Sequence, residues 1–416
     1  MAKLPAVLKN TQFLKLWGNQ ILLQVAFNMS NYTAILILAD RTHSPFIQAQ
    51  FYAALTIPAF IFGLIAGPIV DITDRKNLML ITDILLALLF FGYAFVGGAV
   101  VPILLIAFLT SSVARFFIPA EAATIPLVVS EEALEGANTF FLFTLLGSVL
   151  VGYAIAGPMI QMFGGLHTKG EVVPFVVSGF MLITGLILRL TLKKIPHTLP
   201  SLPERNIFLN TIHLFYETAQ EVGQNHKISL PLALLVFVEL MNGMLSVVLL
   251  EYVRRYLELP LTSVSYVLML PLIAGLVAGT AFLGNVERKF GHRKSIFLAT
   301  VTLGFVLMLF GAVPVFHSIL ISRVVAVSGA FVLGIQVVFI AVQSRTILQR
   351  NAKSEMHGRI FSFLDVMIAF ATPVPVLLLG FFADRVSLLA TLITIGLGII
   401  FVSLIGKRVV LQGRGV

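Results

Sequence analysis

Apolar runs of about 20 residues, the length needed to cross a hydrocarbon layer, recur along this chain. Their cores are 13–38, 48–70, 77–98, 101–128, 138–162, 172–192, 229–251, 261–284, 295–315, 318–343, 360–382 and 386–406, twelve in all. No other feature restricts the fold as strongly. A segment in lipid finds no water for its backbone polar groups, so it closes its own hydrogen bonds as a helix. A barrel strand would alternate polar and apolar residues, whereas these runs are continuous. The expected fold is an all-α polytopic membrane protein with twelve transmembrane helices. Composition points the same way. The chain is 58% hydrophobic and 11% charged, against roughly 25% charged in a soluble domain.

The net charge of +9 raises the question of nucleic acid. The basic residues, however, fall in short loops between apolar runs and form no continuous stripe, so no nucleic-acid partner is expected. If the N-terminus is inside, 21 Lys and Arg lie in inner segments and five lie in outer ones, namely Arg41, Lys169, Arg254, Arg255 and Arg385. Arg115 and Arg323 remain within spans. That bias predicts both termini on the cytoplasmic side, in a bacterial plasma (inner) membrane. The basic start MAKLPAVLKNTQFLKLW leads into an apolar run without a small-residue cleavage site, which predicts a retained first span. Trp17 and Tyr256 are expected as interfacial anchors. Cysteine is absent, which excludes disulfides, thiolate metal sites and cysteine nucleophiles.

One inner connection, 193–228, is long. It holds SLPE at 201–204, a capping box with proline in the first turn. Ile207, Thr211, Leu214 and Phe215 follow at helical spacing, predicting an amphipathic helix on the inner membrane surface. The chain thus divides into a six-helix bundle at 1–192, a linker at 193–228, and a second six-helix bundle with a short tail at 229–416. The stretch GPIVDITDRKNLML at 67–80 returns as GNVERKFGHRKSIF at 284–297. A shift of 217 positions places Gly67 on Gly284, Asp71 on Arg288, Asp74 on Gly291, Arg75 on His292 and Lys76 on Arg293. Both clusters lie inside, between the second and third spans of their half. A six-span unit used twice predicts two pseudo-symmetric bundles. Glycine there would let two helices approach closely, and the bases would hold the loop inside. A purely topological basic loop is the plainer alternative.

With these residues in hand, the whole chain resembles the major facilitator superfamily, whose signature in this loop is roughly G-x-x-x-D-R-x-G-R-K. Ile72 stands where a first basic residue is usual, Asp74 replaces the second glycine, and in the second copy the acid has slipped to Glu287. The resemblance implies that Gly67, Asp71, Arg75 and Lys76, with Gly284, Glu287, Gly291 and Arg293 in the second copy, lock the halves in one state. RFFIPAEAATIP at 115–126 resembles the superfamily's fourth-span motif, which opens with an arginine. PAEAATIPLVVSEEALEGANTF and HGRIFSF narrow the likeness to the macrolide-efflux and siderophore-export branch of drug:proton antiporters. In the fifth span, Gly147, Gly152, Gly157, Pro158, Gly164 and Gly165 resemble the antiporter motif, with a longer gap after Gly-Pro than is usual. Glycines at such positions also serve as simple close-packing sites.

Polar groups within a span are costly and need a reason. Gln20, Gln24, Asn28 and Asn31 lie along one face of the first span. Glu239, Asn242 and Ser246 do the same on the seventh, and Gln336 and Gln343 on the tenth. These aligned faces predict the wall of a substrate cavity in the middle of the molecule, as the superfamily resemblance implies. The alternative is interhelical hydrogen-bond glue. Of the acids within spans, three stand out as candidates. Glu239, about ten residues or ~15 Å from the inner end, is the first candidate for proton coupling, Asp365 the second and Asp83 the third. A carboxyl moved between a buried setting and the neighbourhood of an arginine takes up and releases a proton. The resemblance assigns Arg115 a coupling role; a static pair with Asp83 or Asp365 is the alternative.

The function expected is secondary active transport by alternating access. It is read as proton-coupled export of a bulky, partly hydrophobic compound such as a drug, macrolide or siderophore-like molecule. An uptake symporter for a small polar nutrient is the second reading, and a nontransporting sensor or scaffold the third. The sequence has no HExxH, no GxSxG and no GxxxxGK[ST], so neither an enzyme nor direct nucleotide drive is expected. The partners expected are a small-molecule substrate, protons and the lipid bilayer; no cofactor or metal is expected, and the chain is read as a monomer.

Overall fold

A computed structural model describes residues 7–130, 133–193, 207–312, 318–352 and 357–412. Every extended element among them is a helix. We number these α1 (Thr11–Thr42), α2 (Pro45–Ile72), α3 (Arg75–Tyr93), α4 (Val100–Val128), α5 (Leu134–Met162), α6 (Val173–Leu190), α7 (Ile207–Gln224), α8 (His226–Tyr256), α9 (Met269–Ala312), α10 (Ile319–Asn351), α11 (His357–Ala371), α12 (Pro373–Arg385) and α13 (Leu388–Gln412). Ten stretches among the described residues are long and apolar enough to cross a membrane. One of them, Leu261–Ala312, holds two of the segments expected from the sequence, parted at Gly291. The last expected segment is the shorter apolar helix Leu388–Leu404.

Helix boundaries follow local chemistry. Asp74 caps α3, its side chain accepting a bond from the Asn77 N–H at 2.9 Å. Asn225 caps α8 by accepting from the Lys227 N–H at 3.0 Å. Such caps satisfy donors that a helix start leaves without partners. Gly291 has φ 73° and ψ 162°, a conformation open essentially to glycine alone. The turn between the two passes of α9 is therefore written into one residue.

The chain falls into two compact units, divided between Leu214 and Phe215 inside α7, with His43–Ala49 counted in the second. In the first unit Phe13, Leu16, Phe90, Phe117 and Phe175 are wholly buried or nearly so. In the second, α9 and α10 cross closely. A Cβ on Gly275 would strike the Phe331 carbonyl oxygen, and one on Gly334 would strike that of Leu272. Small residues at a crossing let backbones touch where lipid supplies no hydrophobic drive. Large apolar side chains such as Leu88, Phe143, Phe180, Leu320 and Phe401 stay exposed, while charged Asp83, Arg189 and Glu251 are buried. This inversion is what a bilayer-facing surface requires.

Within the long linker, α7 runs over Ile207–Gln224, and the SLPE stretch lies outside the described residues. Phe215, Ala219 and Val222 of α7 pack against Ile228, Leu232, Leu348, Ile360 and Phe363 of the second unit. These three side chains are covered by protein, while Leu214 and Tyr216 of the same helix stay exposed.

Candidate functional site

In the first unit, four helices bring one end each together around one guanidinium. Asn19 lies eight residues after Thr11 in α1, Asp83 eight after Arg75 in α3, and Glu121 seven before Val128 in α4. Their depths match, and Arg189, next to the last residue of α6, reaches back among them. Arg189 Nε lies 2.7 Å from Asp83 Oδ2, with both side chains at 0% exposure. Asn19 Nδ2 donates to the same Asp83 oxygen at 3.1 Å, and Arg189 Nη2 donates to Asn19 Oδ1. Arg189 Nη1 donates to Met79 Sδ at 2.7 Å, and the guanidinium lies 5.0 Å from the Phe117 ring centroid. Glu121 Oε1 stands farther off, 3.8 Å from Arg189 Nη2.

Asp83 is thus held by Arg189, a residue that the sequence reading counted among the inner topological charges. Glu121 was read only as part of a fourth-span motif. Equal depth in several spans of the first half was the signal available for finding them.

In the second unit Glu239 lies thirteen residues from His226 and seventeen from Tyr256, near the middle of α8. The Asn242 side chain, one turn further along α8, and the charges of Arg345 and Asp365 bear on it electrostatically. Charges carried by α10 and α11 thus act on an ionisable group of α8. Ser246 spends its hydroxyl on the Gly243 carbonyl at 2.7 Å. Gln336 is half-buried. Gln343 is buried and accepts from Ser295 Oγ at 2.7 Å, which ties α10 to α9.

The polar face of α1 is mixed. Gln20 and Asn31 are buried, and Gln20 Oε1 and Asn31 Oδ1 have no hydrogen-bond partner among the described residues. Gln24 and Asn28 are half-buried. Asn28 Nδ2 donates to the Gln24 carbonyl at 2.8 Å and to Ser148 Oγ of α5 at 3.2 Å. Arg115 is half-buried on α4. Trp17 is not a free anchor: its indole N–H donates to Thr144 Oγ1 at 2.8 Å, and its ring packs on Phe13 and Phe140.

The basic loop of the first unit is tied to backbone. Arg75 Nη1 donates to the Ala123 carbonyl of α4 at 3.2 Å. Lys76 Nζ donates to the carbonyls of Leu190 and Leu192 at 3.2 and 2.6 Å, closing the end of α6. Gly67 and Asp71 lie in α2, and their side chains fall outside the described residues. The second copy differs. Glu287 pairs with His292 at 2.8 Å, and Arg288 turns back to Gly284 and Asn285 of its own helix. Within the second unit a Cβ on Gly284 would meet no described residue within 4 Å. Arg293 is exposed.

Among the glycines of α5, Gly152 sits hard against α1. A Cβ there would lie 2.9 Å from the Asn28 Cβ and 2.9 Å from the Met29 nitrogen. Gly147 faces open space, Gly157 is buried beside Pro158 within α5, and Gly164 and Gly165 take positive φ of 108° and 88° just past the helix end.

A profile described as Major Facilitator Superfamily matches residues 16–374. The chain is similar to macrolide efflux protein A of Streptococcus pyogenes, 23% identical over 391 residues and 90% of each chain. It is similar also to the multidrug efflux pump Tap of Mycolicibacterium fortuitum, 25% identical over 367 residues and 84% of each chain. Among solved structures, the nucleoside transporter NupG has a TM-score of 0.69 at 14% identity, covering 94% of this chain and 98% of that one. At that identity the likeness is one of fold.

Proposed function

The chain belongs to the major facilitator superfamily, and from that membership we propose that it is a secondary active transporter exporting a bulky, partly hydrophobic compound in exchange for protons. The observation that carries the reading is Glu239, a carboxyl midway along an apolar helix, with the charges of Arg345 and Asp365 bearing on it. An ionisable group at that depth is costly and calls for a function. A carboxyl flanked by one base and one acid changes its charge balance with small movements of α10 or α11, which is what proton coupling needs. The driving force suffices, since a charge moved across 100 mV gains about 2.3 kcal/mol. The relatives whose names speak of macrolide and multidrug efflux support the direction and the cargo. In this reading the chain works as a monomer in the inner membrane with both termini cytoplasmic, exposing its polar spans to one side at a time.

Inverted vesicles containing the protein test the proposal. Uptake of a fluorescent dye or a macrolide into them is expected to rise when the lumen is acidified, and to collapse when the pH gradient is discharged. Transport indifferent to the gradient across a broad compound panel would overturn the coupling. Accumulation of substrate by intact cells would reverse the direction.

A further inference from the structure

We propose that the buried cluster of Asn19, Asp83, Glu121 and Arg189 is a proton-binding site in the first unit, with the proton residing on Glu121. Three observations carry it. The first is a charge count: two carboxyls face one guanidinium, and the side chains of Asp83, Glu121 and Arg189 are exposed by 0%, 5% and 0%. With both acids ionised the cluster would bury a net negative charge, which is strongly unfavourable without compensation. The charges bearing on Glu121 are those of Arg189 and Asp83. Nearby bases are already engaged at the rim: Lys15 Nζ on the Thr191 carbonyl, Lys76 on Leu190 and Leu192, and Arg75 on Ala123.

The second observation is an asymmetry between the acids. Asp83 Oδ1 has no hydrogen-bond partner among the described residues, but Oδ2 receives both Arg189 Nε and Asn19 Nδ2, and hydrogen bonds to the charged form favour it. Glu121 Oε1 is 3.8 Å from the guanidinium and has no hydrogen-bond partner among the described residues. The proton therefore belongs on Glu121, leaving Arg189 and Asp83 as a neutral pair. The third is place. The cluster sits at one end of each of four helices, beside the Lys76 contacts that close α6. Uptake of one proton from the inner side converts the Glu121 carboxylate to a carboxyl and changes the charge of the cluster from minus one to zero. Losing it sets Glu121 and Asp83 in competition for Arg189, at the point where α6 leads into the linker.

The site stands independently of coupling at Glu239, and infrared spectroscopy of the purified full-length protein in lipid nanodiscs tests it directly. A protonated buried carboxyl gives its own C=O band, shifted by deuterium exchange. At neutral pH that band is expected in the Glu239→Gln protein and is expected to be lost on adding Glu121→Gln. Should Glu121→Gln fail to fold, carboxyl-labelled glutamate in the Glu239→Gln protein shifts the band with the cluster intact. A missing glutamic-acid band, or one that survives Glu121→Gln, overturns the site. Gradient-independent transport with the band in place would remove the export mechanism and leave this site standing.

Discussion

Arg189 and Asp83 form an ion pair at 2.7 Å from which solvent is wholly excluded, although 106 residues separate them in the chain. The pair joins the end of α6 to α3, and Asn19 of α1 closes it. Breaking a buried pair where nothing replaces the lost charge costs about 3–5 kcal/mol; here Glu121, 3.8 Å from the guanidinium, offsets part of that by ionising, at a poorer distance than Asp83. Asp83→Ala is therefore expected to lower the thermal stability of the purified protein sharply, read by tryptophan fluorescence or size-exclusion survival after heating. Asp83→Leu with Arg189→Met removes both charges and should recover most of the loss. A double variant as unstable as the single one would mean that Arg189 is held chiefly by Met79 and Phe117.

Glu239→Gln keeps the size and the hydrogen-bonding capacity of the side chain toward Asn242 but cannot ionise. Folded yield is expected to stay near that of the parent, while flux driven by a pH gradient falls by tenfold or more. Measuring flux and yield on the same vesicles separates the two effects. Undiminished gradient-driven flux would remove Glu239 from the coupling.

Twelve apolar runs and a one-sided distribution of Lys and Arg were legible in the chain because lipid imposes both through length and charge alone. The duplicated loop was legible as a repeat through positions 217 apart, whereas its bonds were not: Arg75 and Lys76 bond backbone carbonyls, while Glu287 pairs with His292. Arg189 was hidden for a different reason. It stands beside Lys193 and Lys194 and reads as one more inner base, because sequence does not reveal that a long side chain folds back into the bundle. Glu239 was visible as a lone acid in an apolar run, whereas Arg345, its electrostatic neighbour, read as a topological charge. The partners of a buried charge come from distant spans, and local spacing carries no record of them.

Gly291 and Gly284 lie seven residues apart in α9 and should respond oppositely to the same change. Gly291 holds φ 73° and ψ 162°, and forcing a side chain into such a region costs about 1–3 kcal/mol. Gly284 is helical with open space around it, where alanine is the better helix former by roughly 1 kcal/mol. Gly291→Ala is expected to lower the melting temperature, and Gly284→Ala to leave it unchanged or raise it. Equal responses would contradict the assigned turn.

Gly152 and Gly147 separate packing from any role in transport direction. Both belong to the glycine series of α5, but only Gly152 is pressed against α1, where Asn28, Met29 and Val25 leave no room for a Cβ. Overpacking at such a contact costs typically about 1–3 kcal/mol. It would also part Asn28 from Ser148 just above. Gly152→Val is therefore expected to reduce folded yield and transport together, while Gly147→Val leaves yield intact because its side chain enters open space. Initial rates normalised to folded protein decide the matter. If Gly147→Val folds normally yet loses gradient-driven flux, that glycine serves transport by something other than contact. If Gly152→Val folds and transports as the parent does, α1 and α5 do not pass as closely as the crossing at Asn28 requires.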